Sequence, residues 1–323
     1  MKKEFGIFIL LVLLCAITGI KNPKFFSEFN LSDMANVIGM FGIFSLGAGL
    51  VIITGGIDLS VGSMISLIGM LLVMALIDWH WHWPVAVLFV MAVSAFLGLI
   101  HGVLITRFRI QPFIITLCGL LLYRGIARYI AKDMTKGFGS CAGFENLQSL
   151  ASGYFCKLPM PFVLLILISI VIWVVLHCSV YGRYLYAVGR NEEAARFSGI
   201  NTRLVIVSTY MIAALLTGIS AILFAFYTNS VEPSTQGNFY ELYGIAAAVV
   251  GGCSLRGGEG SVIGVLIGVA LLQVLQNLVN LLNIPSSLNF AVMGGVVLIG
   301  VLADEWFKQR ALKKNAAARG KSA

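Results

Sequence analysis

Charged residues are scarce in this chain. Only 11% of its 323 residues are Asp, Glu, Lys or Arg, whereas a soluble domain has about 25%, and 59% of the residues are hydrophobic. A membrane-spanning helix needs about 20 mostly apolar residues, so about ten such helices would account for the whole length. We therefore expect no large aqueous domain and no nucleotide hydrolysis on this chain, and an energy source in an ion gradient or a partner protein.

Clustered metal ligands, catalytic motifs and basic patches are also missing. The four histidines are dispersed, and four of the six cysteines lie in or beside apolar stretches without metal-ligand spacing. The basic residues behind the net charge of +8 are scattered between apolar runs, which argues against nucleic acid as a partner. The sequence predicts no metal, no cofactor and no catalytic residue.

Long apolar segments fill the chain instead. They predict an all-α integral membrane protein of about ten transmembrane helices, which form a single transmembrane domain over residues 1–323. We interpret the first segment as a retained anchor, because no cleavage pattern follows it. The segments are 5–20, 34–53, 59–77, 84–105, 113–130, 159–177, 204–227, 242–252, 262–282 and 288–302.

Lysine and arginine predict the orientation, because positive residues near span ends stay in the cytoplasm. With both termini cytoplasmic, 15 of the 22 basic residues fall inside. This orientation places a long loop at 131–158 outside, and a charged loop at 178–203 and a tail at 304–323 inside. Arg124 and Arg128 lie one helical turn apart near an outer span end, and we expect both to snorkel to the membrane surface.

Two glycine-rich segments echo each other. TGGIDLSVGS at 54–63 and GGCSLRGGEGS at 251–261 both follow an apolar run and both re-enter an apolar segment after Gly-Ser. Glycine-interrupted helices at corresponding places are typical of a transport path. Irregular backbone inside a bilayer must face protein or a water-filled cavity, whereas the same segments at the inner surface would be ordinary turns.

Asp58 has two interpretations. A carboxylate within the membrane is functional by default, because its burial is costly. An Asp just before an apolar helix is equally a good helix cap at the cytoplasmic interface.

The inner loop predicts a short surface helix. Asn191 is a helix cap, Glu192 and Glu193 occupy the first turn, and Gly199 is the stop. By its chemistry alone this loop is a solvated connector or a docking element.

Four longer motifs stand in order along the chain: TGGIDLSVGS at 54–63, IQPFIITLCGLLLYRG at 110–125, YGRYLYAVGRNEEAARFSGI at 181–200 and AAVVGGCSLRGGEGSVIGVLIG at 247–268. Together they resemble the permeases of bacterial sugar importers of the ATP-binding-cassette class, of the ribose, xylose and galactofuranose type. The resemblance runs from about the second predicted span to the tenth.

The resemblance implies a multi-pass subunit of the bacterial inner membrane that imports a ribose- or galactofuranose-like monosaccharide and is not itself an enzyme. The implied partners are a second permease subunit in a homodimer or heterodimer, a cytoplasmic ATPase, and a periplasmic or lipid-anchored sugar-binding protein. It also identifies an ATPase-coupling segment: Gly189, Arg190, Asn191, Glu192, Ala194, Ala195, Gly199 and Ile200.

Sugar sites use neutral hydrogen-bonding groups, and the spans offer few of them. We expect the following residues near the central passage of the dimer: Gly55, Gly56, Asp58, Ser60, Ser63, Thr116, Gly251, Gly252, Ser254 and Asn277. Two rival functions stay open: an ion-gradient-driven carrier that uses Asp58, and a scaffold or channel without a substrate cycle.

Cys141 and Cys156 differ from the other cysteines, because both fall in the predicted outer loop. Disulfides persist outside the cytoplasm, and we expect a bridge between these two, with two free thiols as the alternative.

Overall fold

The structure is a computed structural model that describes residues 2–139 and 143–282, with isolated positions 285, 288, 291, 294, 295 and 298 beyond them. Most of the predicted tenth span, 288–302, and all of the tail at 304–323 lie outside the described residues.

The described part of the chain is almost entirely helical. α3 and α7 each continue into a π-helical turn, Met74–Asp78 and Val174–Cys178. The helices are α1 Lys2–Lys21, α2 Glu28–Ile53, α3 Val61–Val73, α4 Trp83–Phe108, α5 Pro112–Ala131, α6 Glu145–Ser152, α7 Met160–Trp173, α8 Val180–Arg190, α9 Glu192–Phe197, α10 Thr202–Thr228, α11 Tyr240–Val250 and α12 Val262–Leu281.

Four two-residue strands form two small antiparallel pairs. β1, Lys136–Gly137, pairs with β4, Ser230–Val231. β2, Tyr154–Phe155, pairs with β3, Leu158–Pro159. These strands lie at the end of the bundle opposite to α9, and we call the two ends the β1 end and the α9 end.

Capping side chains mark where several helices begin. The Ser27 hydroxyl accepts a hydrogen bond from the Asn30 amide at 3.3 Å, and the Ser261 hydroxyl accepts one from the Gly264 amide at 3.0 Å. Such caps satisfy backbone donors that the first turn of a helix leaves free. The apolar runs therefore become helices with defined starts.

Seven helices in the described ranges are long and apolar enough to cross a membrane, which confirms an all-α membrane protein. The prediction of a full span at 242–252 is corrected: α11 has 11 residues, about 16 Å of helix, against a hydrocarbon thickness of about 30 Å. α11 alone is therefore too short to cross the hydrocarbon layer.

α2 and α3 lie at the centre of the bundle. In their most apolar stretches 83% and 78% of the residues are buried, against 28% to 33% for α4, α5 and α7. Glycines allow α4 to pack closely on α10, since a β-carbon at Gly98 would lie 2.6 Å from the Tyr210 carbonyl oxygen. The first glycine-rich segment, at 54–63, connects the two most buried of the candidate spans, α2 and α3.

Candidate functional site

The two glycine-rich segments that echo each other in the sequence are in direct backbone contact. The Gly258 amide, which precedes α12, donates a hydrogen bond of 2.8 Å to the carbonyl of Ile53, the last residue of α2. A β-carbon at Gly257 would lie 3.0 Å from the Gly55 α-carbon. The fold therefore brings together two turns that are about two hundred residues apart in the chain.

The predicted coupling segment meets both turns at the same place. Gly189, in the last turn of α8, packs on the Ile53 carbonyl, and a β-carbon there would lie 2.7 Å from the Gly258 nitrogen. The Tyr186 hydroxyl donates to the Gly260 carbonyl at 2.7 Å. We call Gly55, Gly189, Gly257 and Gly258 the glycine junction. A β-carbon at Gly189 or Gly257 would overlap neighbouring backbone, and Gly55, Gly257 and Gly258 have a positive φ that favours glycine.

The helix predicted at Asn191 is α9. The Asn191 side-chain oxygen accepts a hydrogen bond of 2.9 Å from the Ala194 amide, and Gly199 ends the segment with a φ of +85°. The Glu192 carboxylate accepts from the Thr202 hydroxyl at 3.2 Å, which ties α9 to the start of α10. These contacts fix α9 to α10 while its outer face stays exposed.

The face of α9 carries a residue that the sequence analysis missed. Phe197 is 84% exposed, and the Arg196 guanidinium lies 5.8 Å from its ring centroid. An isolated Phe in a charged loop has no periodicity to mark it, so only the structure shows that it points outward.

A cavity of about 670 Å³ opens at the α9 end. Its lining combines the Thr54–Gly56 turn with Tyr210 and with charged side chains from α9 and the starts of α5 and α10. The charged residues are Arg109, Glu192, Glu193, Arg196 and Arg203. The cavity thus connects the exposed coupling segment with the turn before Asp58.

Asp58 is a deeply buried group two residues before Ser60, the N-cap residue of α3. It is 5% exposed, and one carboxylate oxygen accepts hydrogen bonds from the Ser60 amide and hydroxyl at 2.8 and 2.7 Å. The Ser63 hydroxyl donates to the Ser60 carbonyl at 2.8 Å. This network begins α3 inside the bundle.

Three side chains from other spans lie within electrostatic range of the Asp58 carboxylate. They are His101 of α4, Tyr123 of α5 and Tyr210 of α10, and they lie about 10 to 16 Å along their helices from the α9 end. Asp58 is therefore buried among the helices of the bundle, and Ser60 rather than Asp58 is the N-cap residue of α3.

Two polar atoms beside Asp58 have no hydrogen-bond partner among the described residues. His101 uses Nε2 for a 2.8 Å hydrogen bond with the Tyr123 hydroxyl, which leaves its Nδ1 unpaired, and the Tyr210 hydroxyl is also unpaired. Buried polar groups are nearly always paired with protein or water. This pocket of polar groups can therefore bind water or a hydroxylated solute.

The structure assembles most of the predicted pathway residues at the α9 side of the bundle. The Thr116 hydroxyl lies 3.1 Å from the Ile57 carbonyl, and Gly251, Gly252 and Ser254 continue from α11 toward the glycine junction. Asn277 is elsewhere, because it lies about 22 Å along α12. There its amide pairs with that of Asn30 at 2.7 and 3.2 Å.

The expectation that Arg124 snorkels to the membrane surface is wrong. Its guanidinium donates to the carbonyls of Pro233 and Gln236 at 3.0 and 2.7 Å. It therefore anchors the segment between β4 and α11. Glu241, in the first turn of α11, lies buried against Gly62. Arg128, by contrast, forms an exposed ion pair of 2.6 Å with Asp133.

Two further predictions concern a disulfide and metal binding. Cys141 lies outside the described residues, so its bridge to the exposed Cys156 stays a prediction. In the described ranges no group of three His, Cys, Asp or Glu side chains is placed to hold a metal ion.

Comparison with known proteins matches residues 30–302 to the family described as branched-chain amino acid transport system / permease component. Ribose import permease RbsC of Bacillus subtilis is 38% identical over 315 residues, covering 94% of this chain and 92% of the relative. RbsC of Escherichia coli K12 is 35% identical over 92% of both chains. Fructose import permease FrcC of Rhizobium meliloti is 29% identical over 93% of this chain and 84% of the relative. No solved structure matches.

Proposed function

The chain belongs to the ATP-binding-cassette importer permease family that includes these ribose import permeases, and from this premise we propose that it forms the membrane pathway for a ribose-like monosaccharide. It is a multi-pass membrane protein and a transport component rather than an enzyme. The observation that carries the proposal is the 38% identity to a ribose import permease along 94% of the chain. A galactofuranose-like sugar belongs to the same chemical class of substrate.

The glycine junction supports a mechanical role for the coupling segment. ATP hydrolysis on a cytoplasmic partner would push on α9, and Gly189 would transmit the displacement to the Ile53 and Gly258 backbones. Packed segments move as rigid bodies between discrete arrangements. The residues assigned to this role are Gly189, Arg190, Asn191, Glu192, Ala194, Ala195, Gly199 and Ile200.

The polar groups inside the bundle support a solute route. Its inner half would use the Asp58 turn, Thr116 and the second glycine segment, and its outer half would include Asn277. The full set is Gly55, Gly56, Asp58, Ser60, Ser63, Thr116, Gly251, Gly252, Ser254 and Asn277. Affinity along this route would be weak, because a permease releases its ligand onward.

The proposed setting is the bacterial inner membrane with both termini in the cytoplasm. The α9 end would then be cytoplasmic, where the charged cavity faces an ATPase. The β1 end would face a sugar-binding protein. A second permease subunit would complete the passage, as a homodimer or heterodimer.

Reconstituted uptake tests this proposal. Proteoliposomes that contain the chain, its ATPase and its binding protein should take up D-ribose only when ATP is supplied on the side of the membrane where the ATPase is bound. Glu192→Lys and Gly199→Trp should insert normally but lose uptake and substrate-stimulated ATP hydrolysis. Gly125→Ala, where an added β-carbon meets nothing within 4 Å, is the control and should behave like the wild type.

The rival carrier makes the opposite prediction. Uptake that follows a proton or sodium gradient without any ATPase, and that Asp58→Asn abolishes, would overturn the proposed importer. Wild-type ATPase stimulation in Gly199→Trp would overturn the coupling assignment alone.

A further inference from the structure

α12 carries a stripe of carboxamides on one face. Gln273, Gln276, Asn277 and Asn280 are spaced 3, 4 and 7 residues apart from the first, which places them on the same side of a helix. The rest of α12 is almost wholly apolar. Polar groups in a span face the protein interior or water rather than lipid, so this stripe requires a polar space beside it.

That space is a cavity of about 370 Å³ toward the β1 end. It lies between the carboxamide stripe and a wall of aromatic rings from α2 and α11, namely Phe41, Tyr240 and Tyr243. We call it the outer vestibule. Its volume falls in the range of about 300 to 1,000 Å³ that is typical of small-molecule sites.

The vestibule holds an unused hydrogen-bonding group. Gln273 is 5% exposed and lines the vestibule, yet its carboxamide makes no hydrogen bond to any described residue. Among the stripe residues, Asn277 is paired with Asn30. A carboxamide offers two donors and an acceptor, and no described residue occupies those of Gln273. Gln273 is therefore available to a ligand.

The lining indicates the ligand class. Aromatic faces provide apolar contact, and carboxamides accept and donate hydrogen bonds without a net charge. Asp33, the one carboxylate among the described lining residues, already accepts a hydrogen bond of 3.1 Å from the Tyr227 hydroxyl. A neutral ligand with an apolar face and several hydroxyl groups fits this combination best.

We propose that the outer vestibule binds one monosaccharide, with the sugar ring against Tyr240 and Tyr243 and its hydroxyl groups on Gln273 and Gln276. This inference rests on the proposed function and extends it to a specific recognition site. The next residue after Tyr240 is Glu241, which lies against Gly62 in the first turn of α3. An occupied vestibule thus adjoins the first turn of α3.

Saturation-transfer NMR on the full chain in lipid nanodiscs tests the vestibule directly. The probes are D-ribose, D-fructose and D-allose, with L-leucine as the comparison ligand. The wild type should transfer magnetisation to at least one sugar and not to L-leucine. Gln273→Leu and the half-buried Gln276→Leu should each weaken sugar binding by about fivefold, the size expected for one lost hydrogen bond.

Gln148→Leu is the matched control, because it removes an exposed carboxamide outside the vestibule. Sugar affinity in Gln276→Leu equal to that in Gln148→Leu would overturn the inference, as would binding of L-leucine alone or of no sugar. Gln276→Leu keeps the test decisive if Gln273→Leu does not fold. ATP-driven uptake that vestibule variants leave unchanged refutes only the vestibule, whereas sugar binding without ATP-driven uptake refutes only the proposed importer.

Discussion

Gly258 and Ile53 are joined by a backbone hydrogen bond of 2.8 Å that runs from the turn before α12 to the end of α2. Gly189 of α8 packs against both partners. Because no side chain separates these backbones, a displacement of α8 and α9 cannot be absorbed by rotamer changes. The junction therefore links the exposed α9 to the turn that leads to Asp58.

Gly189→Ala tests this junction. The added methyl would overlap the Ile53 carbonyl, and overpacking of this kind costs about 1 to 3 kcal/mol. We expect a lower thermal unfolding temperature and less than a tenth of wild-type ATP-driven uptake. Gly125→Ala is the control, because a β-carbon there meets nothing within 4 Å and alanine favours the helix. Equal uptake in the two variants would contradict the role of the junction.

Substitutions of Asp58 distinguish a structural role before α3 from a role as a proton or sodium site. Asp58→Asn keeps an oxygen for the Ser60 amide and hydroxyl, whereas Asp58→Ala leaves both donors buried and unpaired at about 1 to 3 kcal/mol. We expect Asp58→Asn to retain more ATP-driven uptake and a higher unfolding temperature than Asp58→Ala. Complete loss in both variants, together with loss of wild-type uptake when the proton gradient is collapsed, would favour the carrier.

Arg124 and Arg128 form a matched pair on α5. Arg124→Met removes the donor to the Pro233 and Gln236 carbonyls, and hydrogen bonds to charged groups contribute about 1.5 to 3 kcal/mol each. Arg128→Met removes an exposed ion pair, which contributes about 0 to 1 kcal/mol. Thermal unfolding in nanodiscs should therefore show a large loss for Arg124→Met alone. A similar loss in both variants would argue against the anchoring role of Arg124.

The rate of thiol labelling at Cys253 measures how readily the second glycine segment opens. Cys253 is 4% exposed, so reagents in water reach its thiol only when the segment opens. In a chain whose other five cysteines are serine, maleimide labelling should therefore be slow. ATP and the ATPase should speed labelling at constant pH if the segment opens. Rapid labelling at pH 7 without partners would contradict the buried position.

The outer loop should contain a disulfide between Cys141 and Cys156. Closing a loop of about 15 residues stabilises a protein by about 3 kcal/mol in the chain-entropy model. Mass spectrometry of protease fragments should show the two cysteines linked before reduction and separate afterwards. Thiol labelling of intact cells that is unchanged by a reductant at both positions would mean that no bridge forms.

Much of the local structure could be predicted from the sequence. Apolar runs with few charges can be stable only as membrane helices, so the described spans begin and end close to the predicted residues. The cap at Asn191 and the stop at Gly199 were also predictable, because their hydrogen bonds and backbone conformation involve only neighbouring residues. The echo between the two glycine segments left open whether they interrupt helices in the membrane or form turns at its surface, and it did not show that the two segments touch each other.

The tertiary structure alone decided the depth of Asp58, the contact between Ile53 and Gly258, and the inward role of Arg124. Each depends on partners far away in the chain: Asp58 faces groups of α4, α5 and α10, and Arg124 binds carbonyls more than one hundred positions away. A residue pattern records which side of its own helix a side chain occupies. It does not record which other helix lies on that side, because that is settled only when all the helices pack together.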